Sequence, residues 1–171
     1  INLVQQEYPA AILNTHRHRD DETIVLKREF IQPVCRLLRD HLDCRFEMFV
    51  DLTAVDYLLV ETDLQQTERF EVIYHLRSLS KDHRIRLKCP VPEDDCQIPS
   101  IHMLWHAVNW YERECYDMYG IHFEGHPNLT RILMYEQFQG HPLRKDYPVD
   151  KQQPLLELND VEERYHYGRF E

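Results

Sequence analysis

The chain has 171 residues, and its twenty lysines and arginines stand against thirty aspartates and glutamates. The resulting formal net charge of −10 opposes binding to a phosphate backbone, so we exclude nucleic acid as a partner. The five cysteines form no Cys-x-x-Cys pair and give little support to a disulfide framework or an iron–sulfur cluster. No run of about 18 apolar residues is present, and we expect neither a membrane span nor a secretion signal.

The first third of the chain predicts strand and helix in turn. Residues 1–21 pass from a mildly apolar start into a polar cluster, which predicts a short helix or a loop. Residues 23–27 are apolar and β-branched, and they predict a short strand. Residues 31–42 predict a helix with one apolar face. That face comprises Val34, Leu37, Leu38 and Leu42.

Three alternating stretches predict further strands at residues 45–57, 69–79 and 83–91. The last two are close in sequence, so we expect an antiparallel hairpin with its turn at residues 80–82. The predicted inward faces comprise Phe46, Met48 and Val50 in the first stretch, Phe70, Val72, Tyr74 and Leu76 in the second, and Ile85, Leu87 and Cys89 in the third. Because these strands alternate, one face of the sheet is expected to be wet or covered by a partner.

Two helices are predicted to follow a proline-rich connector. Ser100 has the chemistry of an N-cap for the first helix, and Gly120 ends the second one, over residues 110–119, as a left-handed cap. The apolar residues of the first helix are Ile101, Leu104, Trp105 and Val108. The prediction for residues 1–120 is therefore an α+β domain, with a mixed or antiparallel sheet and helices packed on it.

Residues 121–171 predict an extended region with little regular structure. Gly-His-Pro occurs at residues 125–127 and again at 140–142, and each copy predicts a stiff turn. The tail after Pro148 has too few apolar residues for a core, yet it carries Tyr165, Tyr167 and Phe170. We expect this tail to be extended and docked on a partner.

The stretch from residue 110 to residue 148 resembles the signature of one known family. The residues that carry the resemblance are Glu112-Arg113-Glu114, Asp117-Met118-Tyr119-Gly120, Phe123, Gly125-His126-Pro127, Arg131-Ile132-Leu133 and Gly140-His141-Pro142-Leu143-Arg144-Lys145-Asp146-Tyr147-Pro148. They are similar to those of the 30 kDa-type subunit, designated C, of proton-pumping NADH:quinone oxidoreductase, in the respiratory complex I family. Thr130 departs from the pattern, since that family usually has a basic residue there.

The resemblance implies a non-catalytic structural subunit in the peripheral arm of that complex, which passes electrons from NADH to quinone and translocates protons. It implies no cofactor in this chain, with FMN, iron–sulfur clusters and quinone held by partner subunits. The expected partners are the quinone-cavity subunit, designated D, and neighbouring iron–sulfur subunits. The chain would reach the membrane only through the complex, on the cytoplasmic side of a bacterial inner membrane or the matrix side in mitochondria. Equivalent subunits of ferredoxin- or hydrogenase-linked relatives are the alternative.

The carboxylates near Gly120 allow two interpretations. Paired acid and base catalysis needs environments that push their pKa values apart, and the sequence shows no environment. Ion pairs with nearby arginines and lysines would instead pin the C-terminal loops to the helix, and we favour this interpretation. The predicted structural clamp at the subunit interface comprises Glu112, Arg113, Glu114, Asp117, His126, Arg131, Arg144, Lys145 and Asp146.

Two other functional classes remain open. A metal-dependent enzyme would use His122 and His126 with Glu112, Glu114 and Asp117, but the pattern lacks Glu-x-x-His on a helix. The histidines at 102 and 106 have zinc-helix spacing, although Met103 stands where a metalloprotease has glutamate. A stand-alone acidic binding module is the other class. No Gly-x-Gly-x-x-Gly or P-loop motif supports nucleotide binding.

Overall fold

A computed structural model describes residues 1–19, 21–59 and 68–155 of the protein. Its elements in chain order are α1 (Asn2–Glu7), β1 (Ile12–His18), β2 (Asp21–Leu26), α2 (Ile31–Asp40), β3 (Met48–Asp56), β4 (Phe70–Ser78), β5 (His83–Val91), β6 (Gln97–Pro99), α3 (Val108–Tyr119) and β7 (His122–Glu124). Short 3-10 turns lie at Pro9–Ala11 and Arg28–Phe30. Among these residues, no helix is long and apolar enough to cross a membrane.

Five strands form one sheet in the order β1-β2-β5-β4-β3. β2 and β5 run parallel, and the other neighbouring pairs run antiparallel, so the sheet is mixed. The helices pack on one face of it, where the side chains of α2 and α3 join those of the strands in a single hydrophobic core. The predicted α+β class is therefore confirmed.

The hairpin of β4 and β5 follows the sequence prediction closely. Phe70, Val72, Tyr74 and Leu76 are all buried, and the register pairs Leu76 with Ile85 and Tyr74 with Leu87. Asp82 has a positive φ of 50° in the connecting turn. Apart from Ile73 and Pro90, the outward residues of the two strands are polar, and all of them except the buried Glu71 are at least partly exposed.

The predicted inward faces of β3 and α2 need correction. A bulge lies between Phe49 and Asp51 and shifts the register of β3 against β4, so Phe49 faces the core while Met48 and Val50 are each 42% exposed. An inserted residue moves the side chains that follow it to the opposite face, so the alternation rule assigns the wrong face on one side of the bulge. α2 ends at Asp40, which leaves Leu42 outside the helix and 77% exposed.

Two elements differ in kind from the sequence prediction. The sequence predicts a helix or a loop where β1 lies. Only the first residue of this edge strand is partly buried, so its sequence shows no alternation of apolar and polar residues. Pairing with β2 is what holds the strand in place. The predicted helix after Ser100 is wrong, because residues 101–107 form turns and α3 begins at Val108. Ile101 and Trp105 still pack in the core. These apolar residues are thus buried as expected, but they lie in turns and not on one face of a helix.

Between residues 121 and 155 the chain has β7 as its only described strand and otherwise consists of turns and irregular segments. β7 pairs in parallel with β6, so residues 122–124 complete a small sheet with the preceding domain. The predicted docking of Tyr165, Tyr167 and Phe170 lies outside the described residues.

The buried hydroxyl of Tyr74 provides a test of the core. It has no hydrogen-bond partner among the described residues. Since an unpaired buried hydroxyl is destabilising, we expect Tyr74→Phe to raise the free energy of unfolding by about 1 kcal/mol in urea denaturation of the purified chain. The matched control is Tyr57→Phe, which removes a hydroxyl that donates to Glu71 at 3.1 Å and should lower stability. An equal loss in both variants would contradict this account.

Candidate functional site

The C-terminal end of α3 is the point where the looped region joins the domain. Gly120 ends the helix with a φ of 77° and donates its N–H to the Tyr116 carbonyl. A Cβ at this position would lie 2.6 Å from His141 Nε2 and 2.9 Å from Arg144 Nη2. Glycine is therefore needed twice, for the left-handed conformation and for the close approach of the second Gly-His-Pro segment.

Asp117 is the best-satisfied carboxylate of the site. Its side chain is fully buried, and Oδ1 accepts a hydrogen bond from Arg131 Nη1 at 2.6 Å. Its Oδ2 accepts the backbone N–H groups of Ile132 at 3.1 Å, Leu133 at 2.9 Å and Met134 at 2.8 Å. Burial raises the pKa of Asp117, but these four hydrogen bonds outweigh it and place the pKa below its ordinary value. The predicted ion pair between α3 and the loops is present here.

The carbonyl groups at the end of α3 are bonded by the same loops. His141 Nδ1 donates to the Asp117 carbonyl at 3.0 Å, and the Leu143 N–H donates to Met118 at 3.1 Å. Arg144 Nε donates to the Tyr119 carbonyl at 2.6 Å. The final carbonyls of a helix have no partner within the helix, so these loops satisfy them in place of water. Arg144 therefore makes a helix cap, with its guanidinium 5.0 Å from the centre of the Phe70 ring.

A second buried carboxylate, Asp56 at the end of β3, is absent from the sequence prediction. It accepts two hydrogen bonds from Arg69, at 3.1 and 2.9 Å, and one from the backbone N–H of Lys145 at 2.9 Å. Arg69 also forms ion pairs with Asp146, at 2.7 Å, and with Glu93. The Leu58 N–H donates to Asp56 Oδ1 at 3.0 Å as well. Burial raises the pKa of Asp56, and the hydrogen bonds from Arg69 and from the backbone amides of Lys145 and Leu58 lower it below the ordinary value.

Glu112 differs from the two aspartates, because no arginine or lysine among the described residues pairs with it. Its buried carboxylate accepts a short hydrogen bond from the Ser100 hydroxyl and one from the Ile101 N–H at 2.8 Å. His126 Nε2 lies 4.0 Å from Glu112 Oε2 and donates to the Asn109 carbonyl at 3.3 Å. Burial raises the pKa of Glu112 to about 7, although both hydrogen bonds lower it. The predicted ion pair of Glu112 with an arginine or lysine is wrong.

The remaining members of the predicted structural clamp differ in their exposure. Arg113 donates to the carbonyls of Thr130 and Arg131, at 3.0 Å each, and its guanidinium lies 5.4 Å from the centre of the Trp110 ring. Glu114 is exposed, and Lys145 is exposed and contributes its backbone N–H. The role of these residues towards a partner stays a prediction.

Among the described residues, the histidines and acids do not come together as a metal-binding group. His122 is exposed on β7, and the rings of His102 and His126 lie 5.7 Å apart. His102 and His106 lie in turns, so they do not share a helix face. In the part of the chain that the structure describes, no group of three or more histidines, cysteines and acids is placed to hold a metal ion.

Large apolar side chains are exposed on α3 and on the loops around it. Trp110 is 61% exposed. Met103, Leu133 and Leu143 are also exposed. Exposed tryptophan beside arginine is common where proteins bind one another. The site is therefore a loop surface whose shape is fixed from beneath by buried carboxylates.

The fold and this site define a class of protein, a small α+β domain that carries a long, internally anchored loop region. A family model described as "Respiratory-chain NADH dehydrogenase, 30 Kd subunit" matches residues 24–153. The chain is 46% identical over 146 residues to the NADH-quinone oxidoreductase subunit designated C of Citrifermentans bemidjiense, covering 85% of this chain and 86% of that one. It is 41% identical over 164 residues to the same subunit of Hyphomonas neptunium, covering 96% and 77%. The chain belongs to this family.

Solved structures share the fold. A trypsin-resistant fragment (1–134) of Nqo5 is 30% identical, with a TM-score of 0.63 over 75% of this chain and 96% of the fragment. A chain of the membrane-bound sulfane sulfur reductase, an archaeal respiratory membrane complex, is 21% identical, with a TM-score of 0.67 over 99% and 92%. The second likeness concerns the fold alone. The family resemblance seen in residues 110–148 is thus confirmed.

Removing the charge of Asp117 tests the anchoring of the loops. We expect Asp117→Asn to lower the free energy of unfolding by about 3 kcal/mol, because Arg131 loses its carboxylate and three backbone amides lose most of their acceptor strength. Urea denaturation measures this, and limited proteolysis should show faster cleavage between residues 121 and 155. The control is Glu114→Gln, an exposed carboxylate on the same helix, which should change stability by less than about 0.5 kcal/mol.

Glu112 predicts a pH dependence of opposite sign to that of the aspartates. Because its pKa is raised to about 7, the folded chain binds more protons than the unfolded chain between the ordinary value of 4.5 and 7. Stability from this group therefore falls as pH rises through that window. Glu112→Gln should remove on the order of 3 kcal/mol of this change. Because His126 lies 4.0 Å from Glu112, the comparison is made in a His126→Gln background, where the difference between the two profiles isolates Glu112; parallel profiles would contradict the assignment.

Proposed function

We propose that the chain is a non-catalytic structural subunit in the peripheral arm of an NADH:quinone oxidoreductase of the complex I type, and that the whole complex is the enzyme. The proposal rests on one observation, which is that the buried acids bond to the chain itself. Asp117, Asp56 and Glu112 all accept hydrogen bonds from groups of the chain itself, and these bonds fix loop conformation. These buried acids therefore hold the loop surface in one conformation, which is a structural role.

Such a surface suits permanent binding to other subunits. A loop that is already ordered loses less conformational entropy on association, so preorganisation raises affinity. The partners we propose are chiefly the quinone-cavity subunit and neighbouring iron–sulfur subunits. By holding these subunits together, the chain would keep cluster and quinone at electron-transfer distance. FMN, the iron–sulfur clusters and quinone would all belong to partners, and the chain would meet the membrane only through the complex.

The structural clamp would act in two layers. Its inner residues hold the loops to the domain, and they comprise Glu112, Arg113, Asp117, His126, Arg131, Arg144 and Asp146. Its outer residues, Glu114 and Lys145, would contact the partner together with Trp110 and Leu133. Loss of an inner residue should damage assembly by deforming the surface, whereas loss of an outer residue should damage assembly without unfolding the chain.

Two variants in the source organism test these layers. We expect Arg144→Ala, which frees the Tyr119 carbonyl, and Trp110→Ala to reduce the amount of assembled complex by about tenfold. The purified Trp110→Ala chain should keep wild-type stability. NADH:quinone activity per assembled complex should stay unchanged, because neither residue takes part in chemistry. Native gels and affinity purification measure assembly.

The control for an exposed apolar side chain is Leu42→Ala, which follows α2 and lies outside the structural clamp, and which should leave assembly intact. Wild-type assembly in both Arg144→Ala and Trp110→Ala would remove the main support for the structural clamp. Normal assembly with lost activity would instead assign these residues to the reaction.

A further inference from the structure

The face of the five-stranded sheet opposite the helices carries a row of cations, although the chain as a whole has a net charge of −10. Along β5, alternation places Arg84, Arg86 and Lys88 on this face, and the core residues of the same strand lie between them. In the register of β4 and β5, Arg77 lies directly opposite Arg84, and His75 lies opposite Arg86. We call these residues, with Met48 and Val50 beside them, the basic sheet face.

The cations of this face are unevenly neutralised. Lys88 forms an ion pair with the buried Glu71 at 2.7 Å. Arg86 donates only to the neutral hydroxyl of Thr23, at 3.2 Å, among its described hydrogen bonds. Arg77 pairs at 2.9 Å with Asp82, which is itself largely exposed. Like charges directly opposite on neighbouring strands destabilise a sheet, so the Arg77 and Arg84 pair leaves positive charge that an anionic group would relieve.

One nitrogen on this face lacks an acceptor. The Nε atom of Arg77 is buried and has no hydrogen-bond partner among the described residues. Burial lowers the pKa of His75, and the nearby Arg86 lowers it further, so the positive charge at pH 7 comes from the guanidinium groups. The buried Nε is not reachable from solvent, but Arg84 is exposed, and its guanidinium is a donor whose natural acceptor is a carboxylate.

A shallow cavity of about 350 Å³ opens among these residues, and its lining combines three guanidinium groups with aliphatic side chains. The bulge in β3 turns Val50 outward, which gives the cavity an apolar wall. Asp21 is the one acid in the lining, and Asp51 lies on the same face opposite His75; three guanidinium groups therefore stand against two nearby carboxylates, and an excess of positive charge remains. Such a cavity suits a peptide that presents acids beside an apolar side chain. The acidity of the whole chain disfavours RNA or DNA as the occupant.

We propose that the basic sheet face binds an acidic segment of a partner protein, whose carboxylates contact Arg77, Arg84 and Arg86 while an apolar side chain enters the cavity beside Val50. This contact goes beyond the proposed function, because it uses the opposite side of the sheet from α3 and the C-terminal loops. It would provide a second attachment point, selective for charge.

Site-specific photo-crosslinking in the assembled complex tests the contact directly. A photoreactive amino acid at Val50 should cross-link to a partner peptide rich in aspartate and glutamate, identified by mass spectrometry. The same group at Leu42, an exposed position after α2, should not capture that peptide. A failure to cross-link at Val50, or capture of a segment without an excess of acids, would overturn the proposal.

Charge substitutions give a second, graded readout. Arg84→Glu should lower the cross-link yield at Val50 by about tenfold, and Arg84→Gln should lower it less. Arg36→Glu makes the same charge change on the exposed side of α2 and should leave the yield unchanged. Equal yields in wild type and Arg84→Glu would overturn the charge argument. A photoreactive group at Leu143, an exposed side chain of the loop surface, reports separately on that surface, so cross-linking there without cross-linking at Val50 rejects only this inference.

Discussion

The carboxylate of Asp117 is the interaction on which the C-terminal region depends. Residues 121–155 contain almost no regular structure, so their backbone groups need partners other than a helix or sheet ladder. One oxygen of Asp117 accepts three consecutive amides, and the other holds Arg131, which in turn donates to the Gly140 carbonyl at 3.1 Å. A single buried charge thus connects residues 131–134 and, through Arg131, the second Gly-His-Pro segment to α3. The four donors are what make burial of that charge tolerable.

The end of α3 and the loops stabilise each other. The loops supply donors to the carbonyls of Asp117, Met118 and Tyr119, and two of those donors belong to His141 and Arg144. A guanidinium at a helix C-terminus also interacts favourably with the helix dipole. The helix therefore has a well-bonded end only when the loops are in place, and the loops are ordered only when the helix presents its end. This mutual dependence explains how so irregular a region keeps one conformation.

The sequence predicts those parts of the fold and of the site whose pattern is local. The inward positions of β4 and β5 are apolar at every second residue, from Phe70 to Leu76 and from Ile85 to Val91. Gly120 is predicted correctly as a cap, because few residue types adopt a positive φ. The bulge in β3 is not predictable, since one inserted residue reverses the faces that a period of two assigns. Asp56 and the Lys145 amide are 89 positions apart, and no local pattern predicts that they meet. A weaker signal does exist, because Asp56 continues the inward register of β3 after Leu52 and Ala54, and a buried acid must find donors elsewhere in the chain.

The three buried acids differ in the donors that surround them and therefore in their pKa values. Asp117 and Asp56 combine backbone amides with an arginine, and their pKa values stay low, so the loop anchors are ionised at neutral pH. Glu112 has only two neutral donors among the described residues and a pKa of about 7. Loop attachment is therefore insensitive to pH near neutrality, whereas the contact between α3 and residues 100–101 changes its protonation there. The structure thus separates a fixed anchor from a titrating one on adjacent turns of a single helix.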